Sequence, residues 1–84
     1  MHKIRPDMNI GDNLKKLRMA SNMTQTQVVA QMQLYGCSVT KAIYWKMEHN
    51  KYNIRISELV AMSAIFQCDF NTLFDGLDLN DEGT

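Results

Sequence analysis

Proline occurs once and glycine four times in these 84 residues, which excludes a collagen-like repeat and a low-complexity linker. Cysteine occurs twice, as Cys37 and Cys68. Two cysteines this far apart make neither a disulfide framework nor a CxxC motif. With His2 and His49 they show no metal-ligand spacing, so no metal and no cofactor is expected. No run of about 20 apolar residues is present, so no bilayer span and no membrane partner is expected. The opening MHKIRPDMNI lacks the apolar stretch of a secretory signal, and the expected compartment is the cytoplasm. A Gly-rich phosphate loop, a Ser/His/Asp set and a Cys-His pair are all missing, and the reading is of a protein that is not an enzyme.

What remains is a folding composition, 45% hydrophobic and 21% charged, in a chain long enough for one small domain. The net charge of zero hides a polarity along the chain. Residues 1–55 hold all nine Lys and Arg against three acids, a balance of +6, and residues 56–84 hold six acids and no Lys or Arg, a balance of −6. A basic face can attract a polyanion even when the total is neutral.

Residues 1–8 read as an arm, because Arg5-Pro6 disfavours helix and nothing apolar repeats there. A first helix opens at the N-cap Asn9, with Asp12 in its first turn and Ile10, Leu14 and Leu17 as one apolar stripe, and Ser21-Asn22 stops it. Thr24 caps the second, with Gln27 completing a capping box. Val28, Val29 and Met32 form its inward face, and Gly36 ends it. Thr40 caps a third helix over 41–49. A fourth spans about 56–66 with Ile56, Leu59, Met62, Ser63 and Phe66 inward. A short fifth covers about 71–75 with Phe70, Leu73 and Phe74 inward. Gly76 closes the domain 9–76, and 77–84 is an acidic tail expected to be poorly ordered. The fold class is therefore all-α, a bundle of five helices.

The third helix carries the sharpest signal. At about 100° per residue, Tyr44 and Met47 fall together with Ile43 at their margin, while Lys41, Ala42, Trp45, Lys46 and His49 fall on the other side. One face packs inward; the other presents two lysines, a histidine, a small residue and an indole, with no acid at its centre.

The segments IGDNLKKLR, MTQTQVVAQMQLYGCSVTKAIYWKME and ELVAMSAIFQCDFNTLF, in this order and spacing, resemble the phage repressor/Cro type of helix-turn-helix, the Xre family. The resemblance covers about residues 10–75. It implies a five-helix, lambda-repressor-like bundle binding double-stranded DNA as a homodimer, with the third helix in the major groove. It assigns base readout to Lys41, Ala42, Trp45 and Lys46. Phosphate contacts go to Thr24 and Thr40 at the helix caps, to Gln25 at the start of the second helix, and to Asn50 and Lys51 in the loop after the third. The chain departs from the family in several places. Its turn between the second and third helices is about five residues longer than in the shortest repressors. Val29 stands where a small alanine is usual, Asn50 where a glycine is frequent and Arg55 where a Ser or Thr caps the fourth helix. Trp45 is bulky for a groove-reading position.

Two functions follow as expectations. The first is a sequence-specific transcriptional regulator, a repressor by resemblance. The second is a protein-interaction module that keeps the fold without DNA binding, its contact supplied by the fifth helix and the acidic tail.

Overall fold

The computed structural model describes residues 10–75. The arm 1–8, the cap Asn9, the closing Gly76 and the tail 77–84 lie outside that span. Among the described residues there are four α-helices and no strand: α1 (Ile10–Ala20), α2 (Gln25–Leu34), α3 (Lys41–Glu48) and α4 (Ile56–Ile65), followed by a 3-10 turn over Phe70–Phe74.

The expected fifth helix is thus a single tight turn. Only five residues separate the capping Asp69 from Asp75, too few to repay the cost of nucleating an α-helix. Asp69 Oδ1 instead accepts from the Thr72 amide at 3.0 Å and from the Thr72 hydroxyl at 2.7 Å. Leu73 is buried, but Phe70, expected inward, is 39% exposed and lies tilted against Phe74, with ring centroids 5.5 Å apart. Ile56 departs in the same way. Its spacing puts it on the inward line of α4, yet as the first helical residue it lies 67% exposed. Glu58 and Ala61 join Leu59 and Met62 in the buried set. Ser63 is only half-buried, and its hydroxyl turns back to the Val60 carbonyl.

Each helix begins and ends for a local reason. Thr24 Oγ1 accepts from the Gln27 amide at 3.1 Å while Gln27 Oε1 accepts from the Thr24 amide at 2.8 Å, a complete capping box. Thr40 Oγ1 accepts from the Ile43 amide. Arg55 has no side-chain acceptor to offer α4, so Glu58 alone closes that end, taking the Arg55 amide at 2.8 Å. All four helices finish in a Schellman closure with one left-handed residue: Asn22, Gly36, Asn50 and Gln67, at φ 57, 88, 58 and 54°.

The core is shared by every element. Leu14, Met32, Tyr44, Met47, Met62 and Leu73 are fully buried, with Val28 and Val39 beside them. Three of these are methionines, whose unbranched side chains fill irregular gaps between helices at differing angles. α3 rests on α1 and α2, and α4 rests on α2 and the 3-10 turn. The longer connection between α2 and α3 is pinned by the buried Val39 and by Gln33 Nε2, which donates to the Val39 carbonyl at 3.0 Å. Asn13 Nδ2 donates to the carbonyls of Leu73 and Asp75, fixing the 3-10 turn to α1. Cys37 and Cys68 are half-buried free thiols.

Candidate nucleic-acid interface

α3 turns Tyr44, Met47 and Glu48 into the protein and leaves Lys41, Ala42, Trp45, Lys46 and His49 exposed. At about 100° per residue the exposed set spans an arc of about 140°, in the order Lys41, Trp45, His49, Ala42, Lys46. The two lysines therefore stand at the edges of the face and the aromatic pair runs along its middle. Trp45 does not fold back onto the core. It is 42% exposed and stacks on His49, with ring centroids 3.6 Å apart and planes 16° from parallel. His49 Nδ1 lies 2.8 Å from the Trp45 carbonyl, and Lys51 Nζ lies 5.9 Å from the indole centroid. A cation at that distance gains from the negative ring face.

Two helix amino ends flank this face. The first i→i−4 bonds are Val28 to Thr24 and Tyr44 to Thr40. With the Gln27 and Ile43 amides taken by the threonine caps, the amides of Gln25 and Thr26 on α2, and of Lys41 and Ala42 on α3, stand ahead of the helix hydrogen-bond ladder. Such amides, at the positive end of the helix dipole, favour anions.

Behind the face lies a buried charged network. Glu48 is 5% exposed. Arg18 of α1 grips both its oxygens, Nε to Oε2 at 2.7 Å and Nη2 to Oε1 at 3.1 Å, and a third bond ties Arg18 Nη1 to the Met23 carbonyl. Gln25 Nε2 donates to Glu48 Oε1 at 3.0 Å. Burial would raise the Glu48 carboxyl; the hydrogen bonds from Arg18 and Gln25 outweigh it and hold the group below its ordinary value. The Tyr44 phenol moves the other way, pushed up first by burial and then by Glu48. Its hydroxyl is fully buried and makes no hydrogen bond.

The loop after α3 is also bound inward. Asn50 takes the left-handed position of the α3 closure, and its Oδ1 accepts from the Gly11 amide at 2.9 Å, across 39 residues. The side chain expected to grip phosphate has its oxygen committed to the amino end of α1. Lys51 remains exposed. Gly11 itself is buried because α1 passes directly over α3: a Cβ there would lie 2.4 Å from the Glu48 carbonyl oxygen.

Thus Thr24, Thr40, Lys41, Ala42, Trp45, Lys46 and Lys51 are all exposed, while Gln25 and Asn50 are half-buried and held by internal bonds. Sequence reasoning missed two supports of the site, Gly11 and the Glu48–Gln25 bond. Each left a trace. Glu48 is the one carboxylate in residues 13–57, and Gly11 is a glycine inside an otherwise regular amphipathic helix.

Among the described residues no group of three His, Cys, Asp or Glu side chains is placed to hold a metal ion, and no helix is long and apolar enough to cross a membrane. No family model, no curated protein and no solved structure matches the chain.

Proposed function

We propose that the chain binds duplex DNA through the exposed face of α3, as a sequence-specific transcriptional regulator of the repressor type. One observation carries the reading. The outer face of α3 holds two lysines and no carboxylate, because the helix's one acid, Glu48, is turned inside and paired with Arg18. A helix of this width enters the major groove, where lysine donates to guanine O6 and N7 and a methyl group packs on thymine. Lys41, Ala42 and Lys46 take those roles, with Trp45 presenting an apolar ring between them. Gln25, Lys51 and the amides at the starts of α2 and α3 hold phosphates, and Asn50 has its Nδ2 group left to offer. Two copies reading symmetrical half-sites would add the affinity that one short helix lacks.

Selection of bound sequences from a random duplex library tests this. Enrichment of a two-fold symmetrical sequence whose affinity falls steeply with salt supports it. Failure of the chain to retain any duplex at low salt overturns it.

A second reading is favoured by a different surface. α4 exposes Ile56 and Val60 on a face whose helix carries one charge, the buried Glu58. A neutral apolar face of this kind suits protein contact. The chain would then be an interaction module, and Lys41→Glu would leave its partner complex intact.

A further inference from the structure

The Gln25 side chain belongs at once to the outer site and to the buried network. It occupies the first position of α2, beside amides that stand ahead of the helix ladder, and it is bonded to a carboxylate that does not reach the surface. We propose that Glu48 is a positioning residue that orients the Gln25 amide for a phosphate. This rests on the DNA-binding reading above and adds to it the residue that sets one of its contacts.

The argument is one of donors and acceptors. A phosphate accepts hydrogen bonds and donates none, so only the Nε2 end of a glutamine can serve it. A free surface glutamine rotates about its last torsion and presents its carbonyl oxygen as often as its amino group. Glu48 removes that choice. An ionised carboxylate also only accepts, so it takes Nε2, at 3.0 Å, and disfavours Oε1. The Nε2 group is planar and carries two hydrogens. With one held by Glu48, the other is fixed in direction about 120° away.

The carboxylate is itself immobilised. Arg18 Nε and Nη2 bond its two oxygens, and the Arg18 charge cancels the negative charge that would otherwise repel an approaching phosphate. The three residues sit on three different helices, α1, α2 and α3. Glu48 thereby sets where the start of α2 stands against the end of α3, as well as how the amide is turned. It contacts no ligand itself, being 5% exposed.

The test compares Gln25→Ala, Glu48→Gln and the double variant on the duplex recovered by selection, with ethylation interference to map each phosphate contact. Far-UV circular dichroism at low temperature confirms that each variant is folded. Glu48→Asp keeps the charge for Arg18 while drawing the carboxylate back from Gln25, and it replaces Glu48→Gln should that variant fail to fold. Gln25→Ala is expected to weaken binding about tenfold, as for a lost hydrogen bond to a charged group. Glu48→Gln should weaken it to a similar degree, the double variant no further than either alone, and the same single phosphate per half-site should drop out of all three interference patterns. Losses that multiply in the double variant, or a Glu48 variant that binds as wild type, overturn the proposal. So does an interference pattern weakened evenly at every phosphate, which marks Glu48 as merely structural. A wild-type chain that yields no selected duplex overturns instead the DNA-binding reading on which this stands.

Discussion

The Asn50 carboxamide caps α1 from 39 residues downstream of Gly11, its Oδ1 accepting from the Gly11 amide at 2.9 Å. The loop after the candidate reading helix is thereby welded to α1. Asn50→Asp preserves an acceptor and places a negative charge at the positive end of α1, so thermal stability should stay within about 0.5 kcal/mol of wild type or rise. Duplex affinity should fall, because the substitution adds a negative charge next to Lys51 in the loop after α3. Asn50→Ala loses the acceptor and strains the left-handed backbone at φ 58°, and should cost about 2 kcal/mol in urea denaturation.

Gly11→Ala should be among the most damaging single-methyl additions in the chain. The new Cβ would stand 2.4 Å from the Glu48 carbonyl oxygen and 2.7 Å from that of Met47, both backbone atoms. α1 can accept it only by lifting off α3. A loss of about 3 kcal/mol is expected, a drop in melting temperature on the order of 15 °C for a domain of this size. A melting temperature within 3 °C of wild type, read by circular dichroism, refutes the close approach.

Acid should destabilise the protein through Glu48. Its carboxyl is held below the ordinary value of 4.5, so the folded state binds this proton less readily than the unfolded chain. The stabilisation is fully present above about pH 4.5 and is lost as the pH falls through the folded-state value. Denaturant midpoints measured from pH 6 down to pH 2 should show this fall, and Glu48→Gln, less stable by about 2 kcal/mol at neutral pH, should show a flatter one.

The Tyr44 hydroxyl makes no hydrogen bond although it is buried near Glu48 and Arg18. Removing an unpartnered polar atom costs nothing in hydrogen bonding, so Tyr44→Phe should change stability by less than about 0.5 kcal/mol or improve it. A loss above about 1.5 kcal/mol would show that the hydroxyl is bonded in solution.

Gln67 closes α4 at φ 54°, where a side chain crowds the backbone and glycine does not. Gln67→Gly should therefore stabilise the chain by about 1 kcal/mol, visible as a raised melting temperature.

The helices were legible because each is governed by local chemistry. Thr24 with Gln27, Thr40 and Gly36 mark their boundaries, and the Ile10–Leu14 and Val28–Met32 spacings mark the faces they bury. The inward and outward residues of α3 follow from the same periodicity. Periodicity puts Ile56 and Phe70 inward because it weighs every apolar residue alike, whereas the first turn of a helix has fewer neighbours to cover it, and both lie exposed. The short 3-10 turn at Leu73 has the cap and apolar spacing of a helix, and its length decides otherwise. The Asn50–Gly11 and Glu48–Gln25 bonds join residues 39 and 23 positions apart, a tertiary relationship that no local rule contains.

Trp45 is the one indole in the chain and lies stacked against an imidazole on the outer surface of α3 rather than in the interior. Its fluorescence is therefore a built-in, label-free gauge of that surface. Whatever settles over the stack, or pries His49 away from it, will change the emission while the packed interior stays as it is.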